Sequence, residues 1–215
     1  MHKPTNADSR KLTSVASVLV SVLGALCLVA CTSTGYRRGD SVAVGMTSAA
    51  AEVQAESRAL QSVVSALNSL VASTNADLKP PYRAFSSRLT RLVAAAHKTE
   101  DTGKRMTERD ALYLKMWEEQ LSKIDFEHIR ELSGARKAEV SQHMEAVHER
   151  YQQTQQVMQP LISYLQDLHK ALGADLTQAG LVSMKGIADN AGTNAARVQV
   201  ALNALSAELT DSGSR

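Results

Sequence analysis

Glu145 and His148 stand one helical turn apart, the Glu-x-x-His spacing with which helical bundles hold a di-iron centre. Such a centre needs two of these pairs and two further carboxylates, all facing inward at one level. One copy is present, and the apolar register beside it runs through Met144, Val147 and Tyr151, which leaves Glu145 on the outer face. His143 and His148 lie five apart and lack the His-Glu-x-x-His pattern of zinc proteases, while His97, His128 and His169 are isolated. These histidines read as solvated side chains, and no metal is expected. Asp110 differs because it falls on an apolar seam. A lone carboxylate with no second acid or nucleophile beside it does not support general acid/base chemistry. The expectation is instead a seam ion pair with Arg136 or Lys137, across a hairpin that folds back near residue 125, fixing register at some cost in stability. Thr99, Gly103 and Thr154 make the same stretch small and polar, suited to close helix approach, with a ligand slot as the sharper alternative. Both cysteines, Cys27 and Cys31, lie ahead of the helical body, so no thiol is left there for disulfides, zinc or nucleophilic catalysis. The chain is expected not to be an enzyme.

The N-terminus carries a different chemistry. Lys3, Arg10 and Lys11 precede an uncharged apolar run over 15–30, shorter than the roughly 20 residues of a spanning helix, which is a secretory signal layout. The run closes on Leu28-Val29-Ala30-Cys31, which resembles the lipobox of bacterial lipoproteins, where cleavage precedes the cysteine and the new N-terminus is lipidated. The expected organisation is a signal peptide over 1–30, lipidated Cys31 with a flexible tether over 31–40, a helical domain over 41–210, and a disordered tail over 211–215. Covalent lipid on Cys31 is the only cofactor expected. Thr32 follows the cysteine where bacterial sorting uses Asp to retain lipoproteins in the inner membrane, so the expected location is the outer membrane, facing the periplasm. The whole chain has 24 basic and 22 acidic side chains; removing Lys3, Arg10, Lys11 and Asp8 with the leader leaves 21 of each. A neutral body with no basic stripe gives no support to nucleic-acid binding.

Four segments with 3-4 apolar spacing must position whatever function the chain has. Met46, Val53, Leu60 and Leu67 mark the first; Phe85, Leu89, Leu92, Ala96, Met106, Tyr113 and Trp117 the second. Val140, Met144, Val147, Tyr151, Met158, Leu161, Leu165 and Leu168 mark the third, and Leu181, Ala188, Ala195, Val198, Leu202 and Leu209 the fourth. Nothing alternates with period two for long enough to be a strand. The fold class is all-α: an elongated antiparallel up-down bundle of four long helices. Turns are expected near Asp77, near Lys123–Phe126 with Asp125 as N-cap, and between Gly173 and Thr177, with Gly173 in the left-handed conformation and Thr177 capping the fourth helix. Ser133-Gly134 is a candidate early break in the third helix, and Pro160 should bend it. With those turns the hairpin of helices two and three protrudes past the outer helices over 114–136. Its tip carries Trp117, Leu121, Ile124, Phe126 and Ile129, expected to pack within the hairpin, with docking of a protein partner, a second copy or the bilayer as the functional alternative.

Several local patterns carry a family resemblance: the lipobox, Ala76-Asp77-Leu78-Lys79-Pro80, Tyr113-Leu-Lys-Met-Trp117-Glu-Glu, Arg150-Tyr151, and the run from Pro160 to Leu168. Together they resemble an uncharacterised family of helical bacterial lipoproteins, a domain of unknown function. The resemblance covers nearly the whole mature chain and implies an envelope location and a coiled-coil-like architecture; it carries no catalytic residues across. The functional expectation is a membrane-anchored, non-enzymatic scaffold or protein-interaction module, with a binding module for a small apolar or lipidic solute as the alternative.

Overall fold

A computed structural model describes residues 34–74 and 76–213, with side chains from 44 to 212. The lipobox residues Leu28, Val29, Ala30 and Cys31 lie outside the described residues. Residues 45–215 form one compact unit, which holds the helical bundle, and residues 1–44 form another. The elements are α1 (Thr34–Val71), α2 (Lys79–Leu121), α3 (Glu127–Ala174) and α4 (Gln178–Gly213), with no strand among the described residues. The protein is all-α. At 1.5 Å per residue, the 48 residues of α3 run about 70 Å.

The four helices close a ring in which sequence neighbours run antiparallel. Glu52 on α1 reaches Thr102 and Lys98 on α2. Tyr82 and Trp117 on α2 meet His169 and Ser133 on α3, and Tyr164 on α3 donates to the Ile187 carbonyl of α4. Gln199 on α4 donates to Ser57 on α1 and closes the ring. The seams follow the 3-4 spacing: Val53, Leu60, Val63, Leu67, Phe85, Leu92, Val147, Leu165, Leu202 and Leu205 are all at most 1 % exposed. Each such aliphatic or aromatic side chain contributes about 1.5–3 kcal/mol by leaving water, which is what holds helices this long together.

Helix ends show where local chemistry acts. Thr177 caps α4 as expected, its Oγ1 accepting the Gly180 N–H at 3.1 Å. Asp125 does not cap α3: that position belongs to Phe126, extended at φ −75° and ψ 112°, with no side-chain cap. Ser133-Gly134 does not interrupt α3, because the Ser133 hydroxyl accepts the Trp117 indole N–H at 3.1 Å and Gly134 sits in unbroken helix. Gly173 is not in the left-handed conformation; no described residue has a positive φ. Its place is one of close approach, since a Cβ there would lie 2.4 Å from the Tyr82 hydroxyl. At the termini, α1 starts at Thr34 and takes in most of the segment expected as a tether, and α4 runs to Gly213, into the expected tail. Gly35 and Gly39 cost a helix only about 1 kcal/mol each, which the Ala-rich continuation of α1 tolerates.

The α3/α4 register fixes where the bundle ends. With Thr154 beside the Ala201 carbonyl and Tyr164 beside that of Ile187, Gly213 comes level with residues near Ser141. The α2/α3 hairpin therefore continues past the end of α4. Between residues 111 and 143 Leu121 alone is buried, so beyond that point two helices pack on each other without flanking cover from α4.

Glycine positions provide a direct check on packing. A Cβ at Gly103 would come within 2.8 Å of Tyr151 Cδ1, whereas at Gly134 it would meet nothing within 4 Å. Gly103→Ala should lower stability by about 1–3 kcal/mol through overpacking, and Gly134→Ala should raise it by roughly 0.5–1 kcal/mol through helix propensity. Urea denaturation of both variants measures the difference.

Candidate functional site

The polar groups converge in the middle of the bundle. Val53 and Leu60 of α1 leave one core slot between them, and Glu56 fills it at 0 % exposure. Neither of its carboxylate oxygens has a hydrogen-bond partner, and neither does Thr99 Oγ1 on α2. Burial pushes the Glu56 carboxyl up from its ordinary value of 4.5 to about 7; the Thr99 hydroxyl is near enough to pull slightly the other way, yet outside hydrogen-bonding geometry. Sequence reading missed Glu56, because a carboxylate carries no apolar signal. The available signal was the empty slot midway between two seam residues.

One turn away, Glu52 is wired to α2. It accepts the Thr102 hydroxyl at 2.6 Å and pairs with Lys98 at 3.3 Å, while Arg105 donates to Thr102 Oγ1 at 2.7 Å. Tyr151 of α3 packs its ring against Gly103 and directs its hydroxyl at Met106 Sδ, 3.7 Å away. Burial, with the Glu52 and Glu56 charges behind it, pushes the Tyr151 phenol well up. Thr154 donates to the Arg150 carbonyl at 2.8 Å. Of the three residues singled out in the seam, Thr99 and Thr154 are buried at 1 % exposure, and Gly103 admits the Tyr151 ring while also lining a groove between α2 and α3.

Asp110 is buried at 4 % exposure and bonds His148 Nε2 at 2.9 Å. The expected partners are elsewhere: Arg136 pairs with Glu139 on its own helix, and Lys137 pairs with Glu118. The reason lies in side-chain direction. Helical side chains lean toward their own N-terminus, so across an antiparallel pair two long side chains meet when each residue lies C-terminal to the level of contact. Asp110 and His148 satisfy this; Arg136 falls short, toward the tip. His148, expected in solvent, is therefore the partner of the seam carboxylate, while Glu145 is exposed and takes no part. Burial raises the Asp110 pKa, against the opposing pull of His148. Close by, the Thr107 hydroxyl lines the same groove as His148 and donates to the Gly103 carbonyl at 3.1 Å. No cluster of three or more His, Cys, Asp or Glu side chains able to hold a metal is found among the described residues.

The tip residues divide. Leu121 is buried and Trp117 and Ile124 are half-buried, with Tyr113 and Trp117 in an edge contact at 5.6 Å. Phe126 and Ile129, by contrast, are 75 % and 54 % exposed, and Leu132 is 61 % exposed. Packing within the hairpin accounts for the first group and leaves the second in water. Grooves lie along the bundle sides: one of 660 Å³ between α1 and α4, floored by Leu60 and Ala195, and one of 460 Å³ between α2 and α3, against Tyr151 and His148. No described helix is long and apolar enough to cross a membrane.

Two measurements probe this polar layer. The folded state holds the Glu56 proton more tightly than the unfolded chain does. Its contribution is complete below about pH 4.5 and is lost as pH rises through about 7. Glu56→Gln should remove this slope, a difference from the parent of about 3 kcal/mol across the window, read by urea denaturation at several pH values. A double-mutant cycle of Asp110→Ala with His148→Ala should show coupling of about 1–3 kcal/mol, and one with Arg136→Ala none beyond error.

Comparison with known proteins adds one finding. No curated protein and no solved structure matches the chain. Residues 29–212, which span all four helices almost to the end of α4, match the family described as Protein of unknown function (DUF2959), and the chain belongs to that family.

Proposed function

We propose that the protein is an envelope lipoprotein held to its membrane through Cys31, in which the helical body serves as a non-enzymatic scaffold and the α2/α3 tip makes contact outside the bundle. The observation that carries this reading is the tip itself: Phe126, Ile129 and Leu132 stay in water past the end of α4, whereas Phe85, the chain's other phenylalanine, is fully buried. Exposed apolar groups grouped at one end of a molecule mark an interaction surface. The lipobox at 28–31 supplies the anchor. Acyl chains contribute about 0.8 kcal/mol per buried CH₂, so several on one cysteine make attachment effectively permanent.

A second reading, a binding module for a small apolar or lipidic solute, is favoured by the 660 Å³ groove between α1 and α4. Filling it with Ala196→Trp would separate the two, because only a solute-binding protein loses co-purified lipid or hydrophobic probe.

The anchoring test is Cys31→Ser. The variant should accumulate as unprocessed precursor or as a species released from washed membranes, whereas the parent stays with the outer-membrane fraction. Normal cleavage and unchanged fractionation of the variant would contradict the lipoprotein reading.

A further inference from the structure

We infer that the α2/α3 tip docks on the bilayer interface itself, inserting Phe126 and Ile129 into the membrane that holds the lipid anchor; the inference rests on the reading of Cys31 as lipidated. The first support is geometry. Ile129 and Leu132, three residues apart in the first turns of α3, lie about 60° apart on its circumference, and Phe126 is the extended residue that leads into the helix just ahead of them. Interfacial insertion reaches about 5–10 Å, enough for Phe126 and Ile129. Trp117 is not available to a membrane, being half-buried and bonded to Ser133.

The second support is the reach of the chain. Gly45, where α1 enters the bundle unit, lies against the Arg109 guanidinium, 3.4 Å from the position of a Cβ. From Arg109 to the end of α2 at Leu121 is about 18 Å along the helix. Fourteen residues separate Gly45 from Cys31. Residues 34–44 are helical and add about 16 Å, and the three further residues back to Cys31 add at most roughly 10 Å, so this linker is up to about 27 Å long, more than the distance from Arg109 to the end of α2. A tip tethered this closely meets the bilayer at high effective concentration, and a weak apolar contact suffices.

The third support is area. Three side chains offer on the order of 400 Å², about half of the roughly 800 Å² per partner in a stable protein interface, which disfavours a second copy as occupant. Charge gives no attraction to an anionic surface: Lys115, Lys123, Arg130 and Arg136 stand against Glu118, Glu119, Asp125, Glu127 and Glu131. Insertion should therefore depend little on anionic lipid.

The test places the chain's only tryptophan at the tip, as Trp117→Phe with Phe126→Trp. The full-length lipidated protein is reconstituted sparsely into vesicles of phosphatidylethanolamine, with or without phosphatidylglycerol, and its melting curve is checked. Lipids brominated high on the acyl chain should remove roughly half of the emission of the relocated indole in both compositions. Flotation without such quenching would overturn the inference, and so would shielding that appears only as protein density rises, the sign of a second copy. Failure of the native chain to float would instead contradict lipidation of Cys31. In that case a Cys27→Ser chain, coupled through the Cys31 thiol to a maleimide lipid, still decides by the same quenching whether the tip inserts.

Discussion

Two antiparallel helices of more than forty residues can slide past each other by a heptad and bury nearly the same apolar area, so apolar seams alone do not choose one register. In this bundle polar contacts along α2 and α3 make the choice. Tyr82 reaches the His169 carbonyl near one end, Asp110 reaches His148 in the middle, and Trp117 reaches Ser133 near the other. A slip of seven residues would break all three and leave Asp110 buried without a partner, which costs several kcal/mol. The flat stack of Tyr82 on His169, with ring centres 4.9 Å apart, adds a shape constraint. Burial keeps the His169 imidazole toward its neutral form, as suits a ring packed between Tyr82 and Phe85.

That register also sets what the hairpin presents. Because α4 ends level with residues near Ser141, the last turns of α2 and the first of α3 have no cover from α4. Two helices can bury one stripe apiece, and Leu121, Ile124 and Trp117 use it. Phe126 and Ile129 lie outside the stripe. In the proposed reading this end works at the membrane, while the grooved sides of the bundle stay open to other contacts.

The core shows where periodicity stops being informative. Val53, Leu60 and Leu67, Met158, Leu161 and Leu165, and the Thr177 cap could all be read from spacing and turn chemistry, because apolar burial and capping act locally. Glu56 could not be read as apolar, although its slot could have been inferred from the seam on either side. His148 was hidden by the seam residues Met144 and Val147: its backbone lies off the stripe and its long side chain leans back to reach Asp110. Gly173 suggested a left-handed cap, yet its requirement comes from Tyr82, a residue on another helix and far away in sequence. Tertiary contact decided each of these.

The central structural claim is that the hairpin tip stands clear of α4. Spin labels at Phe126 and Thr210, in a chain with Cys27 and Cys31 replaced by serine, measure it by pulsed dipolar spectroscopy. The register places Thr210 level with residues near His143, so the labels should be separated by about 25 Å along the bundle axis. A distribution centred below about 15 Å would mean that α4 covers the tip, and would contradict both the register and the exposed surface that depends on it.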